Sequence, residues 1–204
     1  PKIRDYPLLS EIEEFNNALT EKNTTLILKL IDMHSIPYFF NLRLEDKYDL
    51  SLFHLIILMD LTYMLHKVIE TFIYKFREEQ KEIGTNCSNS DEDKKEKDYT
   101  LVNLLSKIDK EGNTPLLYAA FRGNIEVIKK LIDLGVSYEC KNFAGLDAIH
   151  MAAQNNKENV IVYFKEKYNY DIFKSDKEGN TSIHWASSTG GKNALDYLLF
   201  YVNE

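Results

Sequence analysis

The sequence predicts an all-α fold built as a solenoid of repeated helix–turn–helix units, and three observations carry the prediction. The hexapeptide Asp-Lys-Glu-Gly-Asn-Thr occurs at 109–114 and again, letter for letter, at 176–181, a spacing of 67 residues. A looser copy lies between them, with Gly145 33 residues after Gly112 and 34 before Gly179. Each copy opens into an apolar, Ala-containing stretch, and a fixed period of this length marks stacked repeats that bury their apolar faces against one another.

In chain order, the first two repeats are the worn ones. A shift of 101 residues lays Asn23–Asp32 (NTTLILKLID) over Asn124–Asp133 (NIEVIKKLID), which defines a first repeat at about 8–37. A shift of 63 lays Asp46–Asp60 over the first clear copy, with Ser51 over Thr114 and Leu61–Glu70 over Asn124–Asp133, giving a second repeat at about 46–76. That shift exceeds one period by 30 residues, so an insertion follows Phe76. Its sequence at 77–98, REEQKEIGTNCSNSDEDKKEKD, has dense mixed charge and few apolar residues, which predicts a disordered loop into which the preceding helix extends. Within it Ser88 and Ser90 each precede an acidic residue by three positions, Asp91 and Asp93, which resembles an acidic-directed kinase site.

The third, fourth and fifth repeats span 109–141, 142–175 and 176–204. Each reads as a turn, a short helix, a Gly/Asn break and a second helix with apolar residues at helical spacing: Asn124–Asp133, Lys157–Glu166 and Gly191–Phe200. The breaks Gly123-Asn124 and Gly190-Gly191 suit a helix that ends in a left-handed residue, and Gly112 and Gly179 suit a turn that needs positive φ. The chain ends within a repeat, so the face of Leu195, Leu198 and Leu199 is expected to be partly uncovered.

The short helices begin Thr114-Pro115-Leu116-Leu117-Tyr118-Ala119, Asp147-Ala148-Ile149-His150-Met151-Ala152 and Thr181-Ser182-Ile183-His184-Trp185-Ala186. With a period of 33, these resemble the T-P-L-H-x-A signature of the ankyrin-repeat family. The resemblance implies a non-catalytic module that binds a partner protein or an extended peptide in a concave groove. It also implies which residues face that groove: Lys110, Glu111, Asn113, Phe121 and Arg122 of the third repeat; Phe143, Ala144, Leu146, Gln154 and Asn155 of the fourth; Lys177, Glu178, Asn180, Ser188 and Thr189 of the fifth. Most are polar. Phe121, Phe143 and Leu146 are the apolar exceptions, expected either to anchor a partner or to cover the neighbouring repeat.

Composition narrows the functional classes. The chain has 204 residues, 44% of them hydrophobic, and a formal charge of −7 with no basic run, so the electrostatic footprint of a nucleic-acid binder is missing. Two cysteines, Cys87 and Cys140, suit a reducing, cytoplasmic setting rather than a disulfide scaffold. The Asn-x-Ser/Thr motifs at Asn23, Asn86 and Asn180 read as coincidental, since no signal peptide is present. The greasiest run, Leu50–Leu65, contains His54 and Asp60 and is too short to span a bilayer, so no direct membrane insertion is expected.

No phosphate-cradling loop, nucleophile elbow or metal-ligand spacing is found, and no catalytic residue, cofactor or metal is expected. Of the five histidines, His34, His54, His66, His150 and His184, three recur at one repeat position: His54, His150 and His184. A residue that recurs with the repeat serves a repeated structural need, and the family resemblance implies hydrogen bonds within and between neighbouring turns. A narrower likeness surrounds Trp185: GLDAIHMAAQNNKENVIVYF and DKEGNTSIHWASSTGGKNALDYLL are similar to the ankyrin segments of DHHC-type S-acyltransferases. That likeness implies a substrate-recruiting arm fused to a membrane domain whose chemistry lies outside these residues.

Overall fold

A computed structural model describes residues 8–34, 36–44, 47–84 and 100–202. Its described regular structure is helical, and the chain divides into two compact lobes, Pro1–Lys107 and Ile108–Glu204. The fold is all-α.

The N-terminal lobe contains α1 (Leu9–Thr20), α2 (Thr24–Met33), α3 (Ile36–Asn41), α4 (Leu52–Leu58), α5 (Thr62–Gly84) and α6 (Leu101–Leu105). Helix α2 packs on α1 and on α5, and α4 packs on α5. Its core is aliphatic with an aromatic cluster within it. Phe39 meets Phe15 and Phe72 edge-on, at centroid distances of 6.2 and 4.8 Å, and the ring of His34 stacks on Tyr38 at 4.0 Å. Burial lowers the His34 pKa, against the opposing pull of Glu11. Helix α5 continues to Gly84, so the preceding helix does extend into the charged stretch at 77–98. The remainder, with Cys87, Ser88 and Ser90, lies outside the described residues.

The C-terminal lobe is a stack of three hairpins: α7 (Pro115–Arg122) with α8 (Ile125–Asp133), α9 (Ala148–Gln154) with α10 (Glu158–Tyr168), and α11 (Ser182–Thr189) with α12 (Lys192–Val202). Helices α7, α9 and α11 form one layer, with α9 between the other two. Helix α10 lies against α8 and α12 in the second layer. Apolar positions explain the stacking: Leu116, Leu117, Ile149, Ala152, Ile161, Phe164 and Leu198 are all 0 or 1% exposed. Burial of such a side chain contributes roughly 1.5–3 kcal/mol, and in a stack that contribution is available only from a neighbouring repeat.

Local chemistry sets each hairpin. Thr114 caps α7 by accepting from the Leu117 amide, Pro115 fits the first turn because its missing N–H has no partner to lose, and Asn124 caps α8 through the Val127 amide. Between the two helices of each hairpin the backbone takes one left-handed residue: Gly123 (φ 79°), Asn156 (φ 54°) and Gly190 (φ 71°). In the N-terminal lobe the same register positions are also left-handed, at Lys22 (φ 54°) and Asp60 (φ 56°), and Asp49 (φ 62°) stands at the register of Gly112 (φ 82°). Backbone geometry thus repeats even where the glycines do not.

The recurring histidine works as a helix cap. His54 Nδ1 accepts from the Ser51 amide at 3.1 Å and lies 2.7 Å from its hydroxyl; His184 Nδ1 accepts from the Thr181 amide at 3.1 Å and lies 2.9 Å from its hydroxyl. In the fourth repeat the partner is a carboxylate. Asp147 Oδ1 lies 2.7 Å from His150 Nδ1 and accepts from the amides of Ile149 and His150, while Asp147 Oδ2 accepts from the Tyr170 hydroxyl at 3.1 Å. Burial pushes the Asp147 carboxyl up, but the bonds and charge supplied by His150, with help from Tyr170, overcome that and hold it below the usual aspartate value.

Candidate functional site

The surface to which the sequence points is carried by three turns and by the ends of α7, α9 and α11. Each turn projects as a finger, and the fingers are tied by a repeated bonding scheme. Asp109 Oδ1 accepts from the amides of Glu111 and Asn113, and Asp176 Oδ1 accepts from those of Glu178 and Asn180, at 2.8 to 2.9 Å. The second carboxylate oxygen is held by an aromatic side chain of the following helix. Tyr118 donates its hydroxyl to Asp109 Oδ2 at 2.7 Å, and Trp185 donates its indole N–H to Asp176 Oδ2 at 3.0 Å. In the fourth repeat Asn142 Oδ1 takes over, accepting from the amides of Ala144 and Leu146.

Neighbouring fingers are bonded to each other. The Phe143 amide donates to the Glu111 carbonyl at 2.9 Å, and the Lys177 amide donates to the Ala144 carbonyl at 3.0 Å. Asn142 Nδ2 donates to Asn113 Oδ1 at 2.9 Å, and Asn155 Nδ2 donates to the Phe121 carbonyl at 2.8 Å. The fingers approach so closely that a methyl group on Gly112 would stand 2.7 Å from Phe143 Cδ1, and one on Gly145 2.9 Å from the Lys177 nitrogen. Glycine is therefore required at both places, for positive φ and for space.

Against this frame the expected site residues divide into three groups. Lys110, Glu111, Arg122, Phe143, Ala144, Lys177, Glu178, Ser188 and Thr189 are exposed, whereas Phe121, Gln154, Asn155 and Asn180 are half-buried. Asn113 and Leu146 are buried, with 3 and 8% exposure, and this corrects the expectation that they are surface tips. The reason is positional: the residue just before the helix cap points into the stack, where Asn113 bonds Asp109 and Asn142 while Leu146 fills the equivalent space with carbon. Of the three apolar tips only Phe143, at 59%, is an exposed large hydrophobic residue. Exposed basic and acidic side chains alternate along the fingers, Lys110 beside Glu111 and Lys177 beside Glu178.

The sequence reading missed the finger latch made by Tyr118 and Trp185. Its signal was present, since each residue follows the cap threonine by four positions and is aromatic with a polar donor. It also missed a pocket of about 210 Å³ lined by Asn180, His184, Trp185 and Ser188. Leu198 is fully buried in spite of the expectation for its face; Leu199 is 42% exposed. The Cys140 thiol lies 3.3 Å from the Thr114 hydroxyl, and burial pushes its pKa up, which disfavours a thiolate nucleophile there. Among the described residues no cluster of His, Cys, Asp and Glu could hold a metal, and no helix is long and apolar enough to cross a membrane.

Comparison with known proteins agrees with this architecture. Residues 137–204 match the family described as ankyrin repeats (3 copies), and residues 95–132 match ankyrin repeats (many copies). Similar proteins include the human transient receptor potential cation channel subfamily A member 1, 31% identical over 98 residues, which are 48% of this chain and 9% of the channel protein. Alpha-latrotoxin-Lhe1a of Latrodectus hesperus is 36% identical over 96 residues, 47% of this chain and 7% of the toxin. Leucine-rich repeat serine/threonine-protein kinase 1 of Caenorhabditis elegans is 30% identical over 96 residues, 47% of this chain and 4% of the kinase. The chain thus spans less than a tenth of the length of these relatives. With two ankyrin descriptions together covering slightly more than half of the sequence, and with the fingers, caps and left-handed breaks recurring in register, the chain belongs to the ankyrin-repeat family.

Proposed function

We propose that this chain is a protein-interaction module of five ankyrin-type repeats that binds an extended segment of a partner protein along its fingers and the adjoining helix ends, without catalysis of its own. The observation that carries the reading is the contrast between a rigid backbone and an exposed, chemically mixed surface. The fingers are fixed by bonds to Asp109, Asn142 and Asp176, so their ordering is complete before a partner arrives, and preorganisation of this kind lowers the cost of binding. What they present outward is one exposed aromatic residue, Phe143, among Lys110, Glu111, Arg122, Lys177 and Glu178. An aromatic anchor ringed by charged groups suits a polypeptide partner. Net charge of −7 argues against nucleic acid, and a cytoplasmic address belongs to the same proposal. The recruiting-arm reading uses the same surface and adds a membrane-embedded catalytic portion outside these residues; its support is the sequence likeness around Trp185 alone.

The test is selection of linear peptides from a displayed random library on the immobilised chain, followed by affinity measurement on variants. Phe143→Ala and Lys177→Glu are each expected to weaken the selected peptides at least tenfold, about 1.4 kcal/mol, with an unchanged melting curve. Peptides that bind both variants as tightly as the parent would place the binding surface elsewhere and sink the reading.

A further inference from the structure

The three fingers carry two lines of exposed side chains in register. Each finger is a closed hairpin, in which the amides of Asp109, Asn142 and Asp176 donate to the carbonyls of Asn113, Leu146 and Asn180 at 2.9 to 3.0 Å. Neighbouring hairpins are bonded at one register, Phe143 to Glu111 and Lys177 to Ala144. One repeat therefore advances by two chain spacings of about 4.8 Å, or roughly 10 Å. The first tip residues are Lys110, Phe143 and Lys177, the second are Glu111, Ala144 and Glu178, and all six are exposed. One line reads cation, ring, cation; the other reads anion, methyl, anion. The Glu111 carboxylate is steadied by its own finger, since Oε2 accepts from Asn113 Nδ2 at 3.3 Å.

A ligand that meets both lines in step must return a side chain to the same face every 10 Å or so. A β-strand returns every second residue, at about 6.7 Å, and its third residue, at about 10 Å, points the opposite way. A polyproline II segment returns every third residue, at about 9.3 Å, and so keeps step to within about 1 Å across three fingers. An α-helix also keeps step, with seven residues in about 10.5 Å, but a short helix is marginal in water, whereas polyproline II is already populated in the free chain. We propose that the partner segment is a polyproline II stretch whose residues i, i+3 and i+6 are acidic, apolar and acidic, with a basic residue beside each acidic one. The acidic residues face Lys110 and Lys177, and the apolar one rests on the Phe143 ring. The adjoining face of the three-sided helix sets its basic residues against Glu111 and Glu178 and a small residue against Ala144. This proposal rests on the reading of the fingers as a peptide-binding surface and adds the conformation and charge order of the peptide.

The experiment measures binding of labelled synthetic peptides to the full chain. The test peptides are Asp-Lys-Pro-Leu-Ala-Pro-Asp-Lys and its reversed sequence, which serve the two chain directions. One control deletes both prolines and so shortens the period to two; another replaces them with alanine, which a helix accepts and polyproline II does not need. The better test peptide is expected to bind about tenfold or more tightly than either control. The double variant Lys110→Glu, Lys177→Glu should lose that advantage, and a peptide with Lys in place of both Asp should regain it on the variant while a scramble of that peptide does not. Equal or tighter binding of the shortened control, a preference for the alanine control, or failure of the charge exchange to restore binding would each overturn the proposal. Peptides selected from the random library separate this failure from a wider one. If they depend on Phe143 and Lys177 but lack the three-residue period, the polyproline II proposal is wrong and the interaction-module reading stands; if they depend on neither residue, both fall.

Discussion

Trp185 holds the finger of its own repeat through one bond, its indole Nε1–H to Asp176 Oδ2 at 3.0 Å, and Tyr118 does the same for Asp109 at 2.7 Å. The two latches share a register position and a geometry but not an environment. Asp109 is buried, at 4% exposure, whereas Asp176 is only half-buried.

That difference orders two substitutions. A hydrogen bond to a charged group contributes roughly 1.5–3 kcal/mol where water is excluded, and a solvated one contributes about 1 kcal/mol or less. Tyr118→Phe should therefore cost more stability than Trp185→Phe, read as the shift in urea midpoint at constant slope. The reverse order would show that the latch bond is not what the aromatic residues contribute.

The fourth repeat should make the protein acid-sensitive in a defined direction. Asp147 titrates below its ordinary value when folded, so the stability it contributes is full above the unfolded aspartate pKa, about 3.9, and is lost as pH falls through the lower folded value. Urea unfolding followed from pH 7 to pH 3 should show a fall below about pH 4. Asp147→Asn should be destabilised at neutral pH by about 3 kcal/mol, because it breaks a buried network, and should lose less on acidification. Equal acid slopes for parent and variant would remove Asp147 from the account.

Phe143 and Leu146, three residues apart on one finger, should separate binding from stability. Leu146→Ala opens space in the stack and is expected to cost about 2 kcal/mol or more. Phe143→Ala, at an exposed position, should cost no more than about 0.5 kcal/mol. Thermal unfolding of the two variants decides the matter, and a large loss from Phe143→Ala would make that ring a cover for the neighbouring finger instead of a free tip.

The cap histidines should also differ by burial. His54 is fully buried while His184 is exposed, yet both make the same Nδ1 bond to their cap residue. His54→Ala should cost at least about 2 kcal/mol, since it leaves a cavity and an unpaired buried amide. His184→Ala should cost about 1 kcal/mol, the value of a cap. Chemical denaturation of both proteins measures the contrast, and equal losses would mean that the cap bond alone matters.

How much of this was legible beforehand follows from what periodicity can report. The 33-to-34-residue spacing, the helical pattern of Ile128 and Leu131 or of Val160 and Phe164, and the Gly123 and Gly190 breaks all describe one repeat at a time, and the all-α stacked fold follows from them. At Lys22 and Asp60 the left-handed backbone of the glycine position recurs with no glycine in the sequence to announce it. The candidate surface was legible only in part. Lys110, Glu111, Lys177 and Glu178 stand where their positions in the finger imply, whereas Asn113 and Leu146 turn inward and Phe121 is half-buried. Side-chain direction within a finger depends on the next finger lying over it at hydrogen-bond distance, through pairs such as Phe143 with Glu111 that are 32 residues apart. Such contacts leave no periodic trace in the chain, since they are set by how closely two backbones approach, and that distance exists only once the repeats have stacked.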